Sequence, residues 1–289
     1  MAYLDGIDPH TGFIPAAGFK DKGQELAESY ALAQPFPSIL IDDFLPEELA
    51  NILLDHFDTK FKSSELNNYY NRPQERFKNS YNPDTLDDIA RTIFYSFNSR
   101  SFVRIIENIT GIKGLIPDPY FLGAGFHEMH TGSCLSIHVD FNHHKPLNLE
   151  RRVTVLIYLN KDWKPEYGGQ IEFWDAHMTE AVRTYDPVFN RCVIFSTTPR
   201  SLHGNPRPIK HPDGQSRKSV ALYYYTSTWD SLKRSRTTQF KTRPDSADRI
   251  DWTIISREWK EDFIPPVVLR NLLRLKILVR KWRKRPELR

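Results

Sequence analysis

His138 and Asp140 stand one residue apart in Ser136-Ile137-His138-Val139-Asp140-Phe141-Asn142, and His203 follows 63 residues after Asp140. On an extended strand, side chains two residues apart project from the same face. An imidazole nitrogen and a carboxylate oxygen can then reach one ion. A second imidazole from a distant strand completes a 2-His-1-carboxylate face, a donor set that suits non-haem Fe(II) and leaves open positions on the metal.

The His-x-Asp spacing recurs, so context must choose among the pairs. His56/Asp58 lies in Pro46–Asp58, where Leu49, Ile52, Leu53 and Phe57 keep helical spacing. Helix positions i and i+2 point about 200° apart, so that pair cannot chelate. His211/Asp213 sits in Lys210-His211-Pro212-Asp213-Gly214, a turn by composition. Only His138/Asp140 follows a strand-like run, Cys134–Ile137, and precedes further strands. Of the neighbouring histidines, His127 and His130 precede that strand and are expected to be outer, substrate-facing or solvated residues. His143 and His144 fall in a polar turn and are expected to be solvated. Ligating imidazoles need an outer hydrogen-bond partner, for which Asn142, Asn205 or Glu128 are candidates. Arg191 and Thr197 are further candidates for the pocket.

The elements that must position these residues change character along the chain. Residues 1–33 are irregular, with a short helix expected over Gln24–Ala33. A strand over Pro35–Leu45 leads into the Pro46–Asp58 helix, whose first turn holds Pro and acids. Lys60–Asn82 reads as a polar loop able to cover a site. Helices are expected over Asp84–Asn98 and Phe102–Thr110. From Tyr120 to Tyr225 the chain turns to short β-type runs: Tyr120–Met129, Leu135–Phe141, Arg152–Asn160, Lys164–Tyr167, Gln170–Asp175, Arg183–Pro187, Arg191–Ser196 and Ser219–Thr226. Gly168-Gly169 stands between two of them as a hairpin or bulge signal. Seven or eight short strands in about a hundred residues predict a jelly roll or barrel rather than a βαβ sheet.

The 289 residues are enough for a substantial core, and 18 Phe, 13 Tyr and 6 Trp with ordinary charge content predict a soluble globular chain. No apolar run approaches a membrane-spanning length, and the N-terminus has neither a basic nor an apolar leader region. Two cysteines, Cys134 and Cys192, make no disulfide framework and are expected to be core thiols, so the expected location is the cytoplasm. The net charge of +4 hides an asymmetry, because nine basic residues and one acid lie after Ile264. Basicity therefore belongs to one terminal element, and no nucleic-acid partner is expected for the body. In that element Val268, Leu272, Leu275, Val279 and Trp282 share one face of a helix expected over 267–284. Its stripe would dock on the domain or a second subunit, or hold the chain at an anionic membrane surface.

With the strands placed, residues 123–226 resemble the Fe(II)/2-oxoglutarate-dependent dioxygenases, in particular the prolyl 4-hydroxylase-like branch. The motifs are His138-Val139-Asp140, Ile157–Trp163, Gly168-Gly169, Phe189–Phe195, Ser201-Leu202-His203 and Arg217-Lys218-Ser219, in matching order and spacing. The resemblance implies a double-stranded β-helix (jelly-roll, cupin-like) core braced by flanking helices, mainly β in class. It also implies Fe(II) on His138, Asp140 and His203, with 2-oxoglutarate and O2 as co-substrates and ascorbate as a candidate addition. Arg217 begins a strand 14 residues after His203. A buried guanidinium there is the expected partner for the distal carboxylate of 2-oxoglutarate, aided by the Ser219 hydroxyl and, by resemblance, the Tyr158 phenol. Lys218 points to the other face.

The implied reaction hydroxylates an unactivated C–H and is coupled to decarboxylation of 2-oxoglutarate to succinate and CO2. Its substrate is a prolyl residue of a protein or peptide, or a small molecule. Asp140, where halogenating relatives would need a smaller residue, disfavours halogenation. A zinc hydrolase on the same three ligands would leave Arg217 and Tyr158 without purpose, and a non-catalytic cupin-like binding module would release no succinate. The chain is read as one catalytic domain over 1–289: mixed α/β support in 1–119, the β-helix core in 120–227 and a basic extension in 228–289.

Overall fold

The structure is a computed structural model that describes residues 1–59, 67–230, 232–233, 235–248, 252 and 256. By internal contacts the chain divides into Met1–Asp248 and 249–289. The helix expected over 267–284, with its proposed docking or membrane face, lies outside the described residues.

Four helices form one support layer: α1 (Ala27–Leu32), α2 (Glu47–Thr59), α3 (Asp88–Ser96) and α4 (Arg100–Thr110). Helix α3 starts later than its apolar spacing suggests, because Pro83–Thr85 makes a separate 3-10 turn and Asp87 caps the helix by accepting from the Ala90 N–H. Ser99 caps α4 in the same way, and Gly111 ends it at φ 71°. Leu49 and Leu53 of α2, Ile93 and Phe94 of α3, and Phe102, Ile105, Ile106 and Ile109 of α4 are all fully buried. Each such side chain contributes roughly 1.5–3 kcal/mol by leaving water.

The strands, in chain order, are β1 (Ser38–Ile41), β2 (Asn68–Arg72), β3 (Glu75–Tyr81), β4 (Ile116–Pro117), β5 (Gly125–Met129), β6 (Leu135–Val139), β7 (His143–His144), β8 (Leu149–Tyr158), β9 (Ile171–Trp174), β10 (Ala181–Tyr185), β11 (Cys192–Ser196), β12 (His203–Asn205), β13 (Arg217–Thr226) and β14 (Gln239–Phe240). All pair antiparallel, ten of them in a curled path β1-β11-β8-β13-β5-β3-β6-β12-β9-β10, with β14 on β6, β2 on β3, β4 on β13 and β7 on β8. Between β3 and β6 the described residues pair only at Glu75 opposite Leu135. This is the expected jelly roll, mainly β with bracing helices.

Period-two alternation assigns the faces of the two long central strands. Val153, Val155 and Ile157 of β8, with Val220, Leu222 and Tyr224 of β13, join the helices in the main core. Thr154 and Leu156 of β8, with Arg217, Ser219 and Tyr223 of β13, face the interior of the roll. Cys134 and Cys192 are buried and unpaired, as expected.

Two expectations fail here. Lys60–Asn82 is no plain loop, for its described part forms β2 and β3, which pair with each other and extend the large sheet at β5. Gly168-Gly169 joins no hairpin, since Pro165–Tyr167 is a 3-10 turn rather than a strand. The glycines serve close approach instead: a Cβ on Gly168 would strike the Pro208 carbonyl, and one on Gly169 would lie 2.9 Å from Arg217 Cδ.

Candidate metal centre and cavity

Strand β6 carries His138 and delivers Asp140 one residue beyond its end, while β12 runs antiparallel beside it with His203 directly opposite His138. The three donor atoms lie within 4.8 Å of one another, and all three residues are buried. Asp140 Oδ1 is 3.6 Å from His138 Nε2, and Oδ2 is 3.7 Å from His203 Nε2.

Each imidazole is oriented by its own strand. His138 Nδ1 is 2.9 Å from the Ser136 carbonyl and His203 Nδ1 is 2.9 Å from the Ser201 carbonyl. A carbonyl can only accept, so Nδ1 carries the proton and the Nε2 lone pair is left for an ion. The expected outer partners do other work: Asn205 donates to the Gly169 and Gln170 carbonyls, Glu128 accepts from Tyr81 and Ser216, and Asn142 accepts from the Arg236 N–H. Burial, followed by the neighbouring His138, lowers the His203 pKa to about 4, so this imidazole is neutral at pH 7.

Asp140 has a partner that sequence alone did not reveal. Arg151 Nη2 lies 2.8 Å from Asp140 Oδ2, and its guanidinium sits 3.5 Å from the Tyr223 ring centroid. Burial alone would raise the carboxyl pKa, but Arg151 and the two imidazoles outweigh it and hold Asp140 well below the usual carboxylate range. Simple alternation from Val153 would turn Arg151 toward the helices. A register shift between Tyr224 and Tyr225, opposite Val153 and Arg151, places it inside instead.

The centre opens into a cavity of about 560 Å³. Arg217 and Ser219 line it as expected, and Arg217 is 3% exposed. Arg217 has no carboxylate partner among the described residues. Its guanidinium lies 4.7 Å from the Tyr158 ring centroid, Nη1 lies 3.5 Å from Met129 Sδ, and Nε is buried without a hydrogen-bond partner. Burial pulls its pKa down. Tyr158 is buried beside Arg217 rather than among the cavity-lining residues, and the neighbouring guanidinium offsets part of the burial that raises its pKa. A buried cation with unmet donors is costly without an anion, so this pocket fits a carboxylate.

The other histidines divide. His127 lines the cavity, opposite Ser219 on the neighbouring strand, and its Nε2 donates to the Gly123 carbonyl. Burial pushes its pKa well down. His130 meets Asn79 and Glu128. His144 is not solvated as expected, and His143 is half-buried. His144 is fully buried, 3.0 Å from Asp118, and His143 stacks on Trp229 at 3.9 Å and lines the cavity. Arg191 pairs with Asp42 outside the cavity, and Thr197 bonds the Thr154 hydroxyl behind its wall. Neither is a pocket residue.

Two further walls complete the cavity, the first from the Lys60–Asn82 stretch expected to be able to cover a site and the second from a stretch that sequence reasoning missed. Tyr70, Arg72, Glu75 and Lys78 come from β2 and β3, and Ser235–Phe240 from the segment ending in β14. Phe240 pairs opposite His138 in the sheet, with ring centroids 5.5 Å apart. The basic extension thus begins as part of the site. Neither wall carries a motif. The alternating aromatic and charged residues of Asn68–Tyr81 were the available signal for the first.

Residues 124–225 match the family model described as the 2OG-Fe(II) oxygenase superfamily. That segment is an oxygenase domain of this kind, in agreement with the motif resemblance, and the protein is an enzyme. Among solved structures, a prolyl hydroxylase from Trichoplax adhaerens in complex with a hypoxia inducible factor oxygen degradation domain peptide is 18% identical. The match covers 73% of this chain and 93% of that one, with a TM-score of 0.52. A prolyl-4-hydroxylase from Pseudomonas putida is 18% identical over 70% and 98%, with a TM-score of 0.49. A prolyl 4-hydroxylase structure from Phytophthora capsici is 16% identical over 89% and 77%, again at 0.49. The first of these likenesses shows a shared fold.

Proposed function

We propose that the protein is an Fe(II)- and 2-oxoglutarate-dependent hydroxylase whose metal would be held by His138, Asp140 and His203. When bound, Fe(II) with 2-oxoglutarate and O2 supplies the oxidant for an unactivated C–H, at the expense of 2-oxoglutarate decarboxylation to succinate and CO2. The observation that carries the reading is Arg217: a buried guanidinium, unmatched by any described carboxylate, in the cavity that the three donors share. A zinc hydrolase or a simple binding module would have no use for it.

The chain's own residues do the positioning. The Ser136 and Ser201 carbonyls fix both imidazoles with Nε2 free. Arg151 keeps Asp140 ionised. Arg217 would take the distal carboxylate of 2-oxoglutarate, with Ser219 adding a hydroxyl and Tyr158 supporting the guanidinium. The apolar side chains of Leu156, Ile171 and Phe195 line the cavity and limit water there. The substrate belongs to the prolyl-peptide or small-molecule class, the first because the Trichoplax structure holds a peptide. Ascorbate as an added reductant and a cytoplasmic location complete the proposal.

The test is Fe(II)-dependent succinate release coupled to oxygen uptake, with anaerobic titration of 2-oxoglutarate into the Fe(II) protein. Binding with succinate release, and a +16 Da product from a candidate substrate, are expected. Retention of Fe(II) with no affinity for 2-oxoglutarate would overturn the assignment.

A further inference from the structure

The cavity wall carries six cationic side chains, Arg72, Lys78, Lys145, Arg151, Arg217 and Arg236, against two carboxylates, Glu75 and Asp140. Its net charge is therefore +4. A divalent metal would add two charges and a doubly ionised 2-oxoglutarate would remove two, so the loaded site would still be at +4. Asp140 is committed to Arg151, and the single charge of Glu75 is shared between Arg72 at 2.8 Å and Lys78 at 3.0 Å. Arg236 forms no ion pair among the described residues, and its Nε is buried without a hydrogen-bond partner. The Nε of Arg72 is in the same condition. Arg236 is half-buried, and that partial burial draws its pKa down despite the Asp140 and Glu150 charges.

Both guanidiniums belong to the neighbourhood of the metal ligands. The Arg236 backbone N–H is held 2.9 Å from Asn142 Oδ1, two residues beyond Asp140. Arg72 lies 5.3 Å from the ring of Phe240, which packs on His138. We infer that the substrate bears an anionic group, a carboxylate or a phosphate, received by Arg236 together with Arg72. This rests on the oxygenase reading and narrows its substrate class. A neutral prolyl peptide would leave the surplus field unanswered, whereas a fixed anion meets two forked donors with unmet N–H groups.

The test uses the full chain loaded with Ni(II) and 2-oxoglutarate, titrated calorimetrically with N-acetyl-L-proline, its neutral amide and inorganic phosphate. At least one anion should bind about tenfold or more tighter than the amide, as one charge-assisted contact warrants. Phosphate ahead of the carboxylate would mark a phosphorylated substrate, and the reverse order a carboxylic one. Arg236→Gln should reduce the preference to below about twofold, Arg236→Lys should restore part of it, and added salt should shrink it. Affinity for 2-oxoglutarate should remain within about threefold, because its seat is Arg217.

Equal affinities for amide and anions would overturn the inference. So would a preference that survives in both Arg236→Gln and Arg72→Gln, or no anion binding by wild-type protein that still binds 2-oxoglutarate. Failure of wild-type protein to bind 2-oxoglutarate would remove the oxygenase reading itself, and the inference with it.

Discussion

Arg151, itself buried, holds Asp140 with Nη2 2.8 Å from Oδ2, and its guanidinium lies 3.5 and 4.5 Å from the ring centroids of Tyr223 and Phe141. The carboxylate thus reaches the metal site already ionised and already aimed. Oδ1, nearer His138, is the oxygen without a guanidinium on it. The pair is buried on both sides, so removing one partner strands the other charge.

From this, Arg151→Ala should weaken metal binding by about 10–100-fold, the usual effect of losing an outer partner of a metal ligand. The metal-free protein should also lose about 3–5 kcal/mol of stability. Arg151→Lys should recover part of both, since an ammonium keeps the charge without the planar fork. Ni(II) titration and chemical denaturation measure the two effects, and unchanged metal affinity in Arg151→Ala would show that Asp140 needs no partner.

Why Arg151 escaped the sequence, while His138, Asp140 and His203 did not, has a physical explanation. The three donors announce themselves through spacing on strands, and the alternation of Val153, Val155 and Ile157 reveals the inner and outer faces of β8. Arg151 reaches the interior only through a register shift at Tyr225, which no local pattern encodes. The β2–β3 hairpin was hidden for a related reason: its strands turn Arg72, Glu75 and Lys78 to the cavity and lack the apolar alternation of a core strand. His144 looks like a turn residue until Asp118, 26 positions earlier, is brought against it. Long-range pairing supplied what local periodicity could not.

The metal ligands separate from the decoy histidines. His138→Ala or His203→Ala should abolish stable Fe(II) binding and turnover, because two donors leave no closed face. His56 is bonded to Asp87 and His211 is packed on Trp163 and Tyr167. Their alanine variants should bind Fe(II) as wild type does once folded. Metal content after dialysis distinguishes the four, and loss at His211 would make His211/Asp213 the ligating pair.

Glu75 should leave its mark on acid stability. Burial raises its pKa, but Lys78 and Arg72 outweigh burial and the net shift is downward. A depressed folded-state pKa contributes stability that is fully present above the unfolded value, near about 4.3, and lost as pH falls through the lower folded value. Glu75→Gln should therefore cost about 1–3 kcal/mol at neutral pH. The deficit should close below pH ~4. Urea denaturation at a series of pH values tests this, and a deficit that persisted undiminished in acid would contradict it.

The sharpest comparison uses two adjacent cations of β13. Arg217 faces the cavity, whereas Lys218 belongs to the opposite face, only partly buried, with its backbone N–H and carbonyl both bonded to Asn160. Arg217→Ala should leave Fe(II) affinity nearly intact. It should weaken 2-oxoglutarate binding by about 30- to 4,000-fold, the range that a desolvated charge pair of roughly 2–5 kcal/mol implies. Arg217→Lys should recover only part of this, and Lys218→Ala should be close to neutral. Gly169 offers an independent check, because its φ of 73° is strained for other residues and a Cβ there would crowd Arg217 Cδ at 2.9 Å. Gly169→Ala should therefore weaken 2-oxoglutarate binding without touching a metal ligand. Isothermal titration of all four variants decides the matter. If Lys218 proved the costly residue and Arg217 the neutral one, the co-substrate seat would lie on the other side of the strand, and the Ser219 and Tyr158 roles would fall with it.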